Sequence, residues 1–300
     1  MAAVIGSETT PTIAAVFIPE HWMKEVQIAS RKEQVLAGTM DARYNAEMAS
    51  GRIAHIAHQL NTAATSKSDN TLVVPDANTP TNQDITVSRY FYSAINVQFV
   101  TEVQDELGYT EKYTNGLAYA LNGQVETDAA GLPDGLSTNT VGTFGVELTM
   151  DDWESAWQKL QVGLAPKNVR FAWLSSAAIS ALRKLGTPIS GDFTRTNLGA
   201  LDMATIGMFL GFKIIESQYL ESPAAGQHDC GVHQKEQYIL IRQQQPKIER
   251  QRILGDLSDL VVGWELFVTA EREIIAEGAA ASGGSAETLS DAHGVWIKTV

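Results

Sequence analysis

From residue 84 the hydrophobic positions fall on nearly every second residue: Ile85, Val87, Tyr90, Tyr92, Ile95, Val97 and Phe99. Near-alternation of this kind is the pattern of pleated strands, and the β-branched and aromatic character of these residues suits that surface. The spacing then changes. Val103, Leu107, Leu117, Ala118, Leu121 and Val125 recur mostly at i+4, which predicts a long helix over residues 100–130. Asp105, Glu111, Lys112, Asn122 and Glu126 would face outward. Gly108, Gly116 and Gly123 each weaken that helix by up to about 1 kcal/mol relative to Ala. Close approach of another backbone would be a reason to keep them. Leu132-Pro133-Asp134-Gly135 predicts a closing turn.

A second unit follows. Thr149-Met-Asp-Asp152 has the form of a capping box, with Trp153, Ala156, Trp157 and Leu160 on one face of the helix behind it. Residues 169–174 read as a buried strand, and 175–185 as a short helix closed by Gly186. A Gly-rich turn leads into a strand at 211–217. Tyr238-Ile-Leu-Ile241 and residues 260–269 are further strands, and 272–276 continue the latter after a break. Residues 279–286 read as a flexible Ala/Gly/Ser linker. Residues 294–300 form a strand with no partner near it in sequence. Short strands and helices without βαβ repetition predict an α+β fold.

The front of the chain differs. Val16-Phe17-Ile18-Pro19 reads as extended, and residues 20–36, with Trp22, Met23, Val26, Ile28 and Val35, as an amphipathic helix stopped near Gly38. Residues 48–84 carry few apolar side chains around a polar stretch at 61–70, followed by the extended Leu72-Val73-Val74-Pro75. A loop this long without an apolar face cannot bury itself. It is either disordered or a hairpin that packs on a neighbour.

Composition narrows the function. Of the 300 residues, 44% are hydrophobic and 19% charged, which suits one or two ordinary cores. No run of 18 apolar residues would span a membrane, and the start lacks the pattern of a signal peptide. The single Cys230 excludes an intrachain disulfide and points to a reducing compartment. The net charge is −13, with 8 Lys/Arg against 17 Asp/Glu in residues 1–150 and 14 against 18 in the rest. An acidic chain repels phosphate, so tight binding of nucleic acid over a broad surface is not expected. Arg242, Lys247, Arg250 and Arg252 form a local basic cluster, read as a solvated or subunit-contacting face before a phosphate site.

Little points to catalysis. His228-Asp229-Cys230-Gly231-Val232-His233 has metal-ligand residue types, but supplies at most three ligands from one polar stretch, read here as a solvated loop. His55 and His58 lack an acidic or cysteine partner and read as surface histidines. Gly207 and Gly211 mark a tight turn. Asp151 and Asp152 suit capping and dipole stabilisation. Phosphate-binding loops and nucleophile elbows are absent from the sequence. No enzyme, cofactor or metal is expected.

The order of elements resembles the HK97-like major capsid proteins of tailed bacteriophages over residues 18–276. Trp22-Met-Lys-Glu-Val26 with Leu36-Ala-Gly-Thr-Met40 looks like the N-terminal arm and its helix. Residues 85–100 look like the strands before the long spine helix, and 109–129 like that helix. Residues 169–182 and 207–220 resemble the axial domain, and 233–249 with 254–272 the return into the peripheral domain. The resemblance implies an arm and short helix at 1–47, an extended β-hairpin (E-loop) at 48–84, and a peripheral domain with spine helix at 85–136 and 237–282. It further implies an axial domain at 137–236 and a tail strand at 283–300.

The function so implied is a coat protein that self-assembles into hexamers and pentamers of an icosahedral head around the phage genome. Phe17, Trp22, Lys67, Asp69, Asn70, Arg242, Lys247, Arg250, Arg252 and Trp296 are the candidate inter-subunit contacts. The implied partners are a separate scaffolding protein, a portal, a cement protein in some relatives, and weakly contacted double-stranded DNA, without a membrane. Only about a dozen residues precede the arm, so no built-in scaffold is expected. The implied location is the virion, after assembly in the host cytoplasm. Some relatives join a hairpin lysine to a neighbour's asparagine. Lys67 sits near the tip, but no Asn follows Asn197, so no such crosslink is expected. Alternatives are an encapsulin-like nanocompartment shell, a soluble metal-dependent enzyme built on residues 228–233, and a tail or portal component.

Overall fold

The alternating and i+4 patterns fold in chain order, among the described residues, into thirteen strands and four helices, as seen in a computed structural model. It describes residues 31–57, 66–73, 82–100, 109–185, 207–220, 227–275, 288–289 and 292–299. The elements are β1 (Ile53–Ala57), β2 (Asn82–Thr86), β3 (Arg89–Gln98), α1 (Tyr109–Ala130), α2 (Leu132–Gly135), β4 (Thr140–Gly142) and α3 (Met150–Val162). There follow β5 (Arg170–Leu174), α4 (Ser176–Lys184), β6 (Met208–Phe209), β7 (Phe212–Glu216), β8 (His228–Gln234) and β9 (Tyr238–Ile253). The last are β10 (Ser258–Glu271), β11 (Ile274–Ile275), β12 (Thr288–Leu289) and β13 (Gly294–Thr299).

Two larger sheets organise residues 32–300, which form one compact unit. The first has three antiparallel strands in the order β3-β10-β9. The helix α1 lies on one face of it, with Leu117, Leu121, Val125 and Ala129 buried at every fourth position. The fit is close: a Cβ on Gly263 of β10 would stand 3.1 Å from Leu121 Cδ1. Pro246 is tolerated inside the long β9 because the pairing with β10 shifts register nearby, between Trp264 and Leu266.

The second sheet has the order β4-β13-β8-β5-β7-β6, mixing parallel and antiparallel pairs. Its period of two divides two cores. Ala172, Leu174, Cys230, Val232, Val295 and Ile297 face α3 and α4, where Trp153, Leu160 and Leu182 are fully buried. Phe171, Trp173 and Trp296 point the other way and pack with Val125 of α1 and Tyr238, Leu240 and Phe267 of the first sheet. One core is therefore shared by both sheets.

Local rules explain the ends. Thr149 Oγ1 accepts from the Asp152 amide at 3.3 Å, and Asp152 Oδ2 accepts from the Thr149 amide at 2.9 Å, closing a capping box. Ser175 caps α4 by accepting from Ala178. The turn between β6 and β7 has positive φ at both Leu210 (46°) and Gly211 (85°), the geometry that suits a two-residue hairpin.

Several expectations are corrected. Residues 31–36, the described part of the arm helix, are not helical; only a 3-10 turn forms, at Ala37–Thr39. Trp157 is 37% exposed, because the α3 stripe that meets the sheet is Trp153, Ala156 and Leu160. Residues 132–135 are a short helix rather than a turn. Residues 294–299, expected as part of a separate tail, lie inside the six-stranded sheet between β4 and β8. Residues 101–108 of the long helix and the 279–286 linker lie outside the described residues.

Candidate inter-subunit surfaces

The limb at 48–84 is fixed at its base and open at its tip. β1 and β2 form an antiparallel ladder from Ile53↔Thr86 to Ala57↔Asn82. Met48, Ile56, Ile85 and Val87 pack on Ile239 and Ile241, on the face of β9 opposite the shared core. Gln83 Nε2 donates to Glu271 O at 2.7 Å, and the Glu273 amide donates to Gln83 Oε1 at 3.0 Å. Exposed His55 pairs across the ladder with Asp84; His58 lies outside the described residues.

Residues 66–73 at the tip are all exposed. The Thr71 amide and hydroxyl both donate to Ser68 O, and Asn70 takes φ 65°, a left-handed turn that asparagine tolerates. Lys67, Asp69 and Asn70 therefore stand in solvent within a single subunit. So do two aliphatic side chains: Leu72 is 93% exposed and Val73 75%. Among the described residues nothing of their own chain covers these adjacent aliphatics.

The three-stranded sheet has a second uncovered surface. Opposite α1, Tyr92, Trp264 and Lys247 lie side by side, and Ala94, Val262 and Glu249 form the next row. Tyr90 is 61% and Tyr92 72% exposed, with the Tyr90 ring edge-on to Trp264. At one end of this sheet Leu254, Leu257 and Val100 are also exposed.

The basic cluster is engaged within the chain. Arg242 turns inward: its amide donates to Asn45 Oδ1 at 2.9 Å and its Nη1 to Asn122 Oδ1 at 3.1 Å. Arg250 and Arg252 converge on Asp259, a buried carboxylate, with Arg252 also over the Phe99 ring. Lys247 pairs with Glu249 at 2.6 Å. Trp296 is a correction as a contact candidate: its ring is buried in the shared core, its Nε1 donates to Asp229 Oδ1, and Lys298 covers one face. Phe17 and Trp22 lie outside the described residues.

The sequence also misplaces Glu126. Expected outward, it is buried and accepts from the backbone amides of Val35, Leu36 and Ala37 at 3.2, 2.8 and 3.0 Å. Lys32 donates to Gln218 O and lies over the Tyr219 ring, and Gln34 donates to Tyr119 O. The incoming chain is thus clamped along α1.

Residues 228–233, expected as a solvated loop, are β8 in the interior of the six-stranded sheet. Among the described residues no cluster of His, Cys, Asp or Glu could hold a metal ion. Burial pushes the Cys230 thiol up to about 11. His233 is enclosed by Trp173, Tyr238 and Phe171, and only its Nδ1 has a partner, the carbonyl of Gln234. Burial pushes its pKa down to about 4. The unfolded chain binds that proton near pH 6.5 and the folded one only near 4, so stability is full above 6.5 and falls on acidification between those values. The loss approaches about 3 kcal/mol. Thermal unfolding from pH 7 to 4.5 is expected to fall more steeply for the natural chain than for His233→Gln; parallel slopes would remove His233 from the account.

No family model and no curated protein matches the sequence. Solved structures do. A chain of Mycobacterium phage Che8 superposes with TM-score 0.72 at 21% identity, covering 94% of this chain and 97% of that one. A chain of the capsid structure of the cyanophage P-SCSP1u gives 0.74 at 16%, covering 99% and 97%. The capsid of a native GTA particle gives 0.65 at 9%, covering 98% and 99%. The fold is accordingly the α+β HK97-like capsid fold.

Proposed function

We propose that this chain is the major capsid protein of a tailed bacteriophage, a structural subunit without catalysis that builds hexamers and pentamers of an icosahedral head. The capsid fold shared along nearly the whole chain gives the class. The observation that carries the assembly reading is the limb, whose base is locked into its own subunit while Leu72 and Val73 at its tip remain in water. A neighbouring copy that covers the tip completes the subunit. Repeated heterologous contacts of this kind close into rings, and rings joined at curved edges close a shell.

In this reading the limb at 48–84 is the E-loop. The three-stranded sheet with α1 is the peripheral domain, and the six-stranded sheet, including β13, the axial domain. Lys67, Asp69 and Asn70 lie beside the contact. Arg250, Arg252 and Lys247 shape a charged surface already balanced by Asp259 and Glu249, which suits a container that holds DNA weakly. A separate scaffolding protein, a portal and, in some heads, a cement protein are the expected partners. The particle assembles in the host cytoplasm and becomes the virion.

Negative-stain microscopy of the purified full chain, alone and with a candidate scaffold, tests the proposal. Closed icosahedral shells are expected. Open tubes, single rings or a monodisperse monomer under every condition would overturn it, and shells filled with an enzyme cargo would assign the same fold to a nanocompartment. Boiling shells in detergent is expected to release single subunits, not a covalent ladder.

A further inference from the structure

The face of β10 that meets α1 carries Val261, Gly263, Glu265 and Phe267, and one of these is an acid. Glu265 is fully buried, and neither carboxylate oxygen has a hydrogen-bond partner. It sits where the pairing with β9 shifts register, two residues from the glycine on which Leu121 of α1 closes. Two charged groups act on it. Arg242 of β9 favours the carboxylate, and Asp128 of α1 opposes it.

Neither charged neighbour completes the site. Arg242 gives Nη1 to Asn122 of α1, and its Nε is buried without a hydrogen bond. Asp128 Oδ1 accepts from Gln124, while Oδ2 lies 3.1 Å from Arg89 Nε of β3 but outside hydrogen-bonding alignment. The cluster therefore holds two acids and one inward arginine between helix and sheet, with Arg89 at its rim. A buried carboxylate without donors is far more costly when charged than when protonated.

We propose that Glu265, enclosed with Asp128 and Arg242 between α1 and the three-stranded sheet, is a proton-operated joint: neutral, it seats the helix on the sheet; ionised, it loosens that seat. Burial, ahead of the Arg242 attraction, holds the Glu265 carboxyl above the ordinary carboxylate range. A raised folded pKa means the seating is complete below the ordinary value and is lost as pH rises through the raised one. This is opposite in sign to His233, so the two groups cannot be confused. The joint belongs to the single subunit and stands or falls apart from the shell reading.

Hydrogen exchange of the amides of residues 115–130 in the purified full chain, followed from pH 4 to 8.5 and corrected for intrinsic rates, tests the joint. The assembly state is held equal between variants. In the natural chain, protection is expected to fall by up to about tenfold per pH unit, the limit for one proton, between the ordinary carboxylate value and the raised one, and to level off above it. Glu265→Gln should lack this fall on the alkaline side, keeping only the acidic loss due to His233. Asp128→Asn, which removes the opposing charge, should move the midpoint to lower pH, and Arg242→Met should move it higher. Identical profiles for the natural chain and Glu265→Gln would overturn the proposal, as would midpoints unmoved by Asp128→Asn. That second variant keeps the test decisive if Arg242→Met does not fold.

Discussion

A subunit in which Leu72 and Val73 are both replaced by Asp is expected to melt at the natural temperature and to form no closed shells. Both side chains are exposed in the single subunit, so their removal costs nothing there. Covering each of them in an assembly contributes roughly 1.5–3 kcal/mol, and burying a carboxylate in its place is unfavourable. A deficit of about 3 kcal/mol at one contact raises the concentration needed for association over 100-fold, and a shell repeats that contact in every copy. Circular dichroism should show an unchanged unfolding curve, while sedimentation shows only small species. Ser66→Asp with Ser68→Asp, equal in charge on the same exposed tip, is the control and should still assemble. Shells from the Leu72/Val73 variant would show that apolar cover at the tip does not govern assembly, and their loss in the control as well would assign the effect to charge.

Glu126→Ala is expected to lower unfolding stability by about 3–5 kcal/mol. Three backbone amides converge on this carboxylate. Hydrogen bonds to a charged acceptor contribute about 1.5–3 kcal/mol each, and orphaned buried donors are costly. Water entering the space left by the side chain recovers part of the loss, so the total stays below the sum. The defect is local before it is global. Limited proteolysis should cut residues 31–37 in Glu126→Ala under conditions where the natural chain is resistant. Glu126→Gln, which keeps one acceptor oxygen, should fall between the two. A chemical denaturation midpoint unmoved by Glu126→Ala would mean that the incoming segment is held elsewhere.

Where one neighbour decides a residue's environment, the sequence pattern is readable. The alternation at 85–99 reports pleated strands with one face covered, though Tyr90 and Tyr92 fall on the exposed face of β3; the i+4 row from Leu117 to Val125 reports one contact for α1, and the Thr149–Asp152 box is local chemistry. Where two elements meet the same residue, the pattern fails. Glu126 follows Val125 on the wheel and looks solvent-facing, yet the incoming backbone arrives from that side. The later half of β9 reads as a charged cluster because an edge strand there has little to bury, so alternation fades after Ile241. His228, Asp229 and His233 look like loop residues because their polar types dominate. Their strand is interior since His233 fits an aromatic enclosure and Asp229 is satisfied by Trp296, 67 positions away. The limb tip was legible as incomplete, but not which of its residues carry the uncovered area.

The placement of β13 has a temporal consequence. Residues 294–299 fill the gap between β4 and β8 and supply Val295 and Ile297 to one core and Trp296 to the other. A nascent chain still lacking them on the ribosome holds a sheet split in two, with β4 separated from any partner. Docking of such a chain onto finished copies would bring an open core edge into the growing particle. Since the pairing spans from 140 to 299, it forms late and slowly compared with the hairpins. Under the proposed function, synthesis of residues 294–299 therefore sets the earliest moment at which a copy becomes competent to join its neighbours.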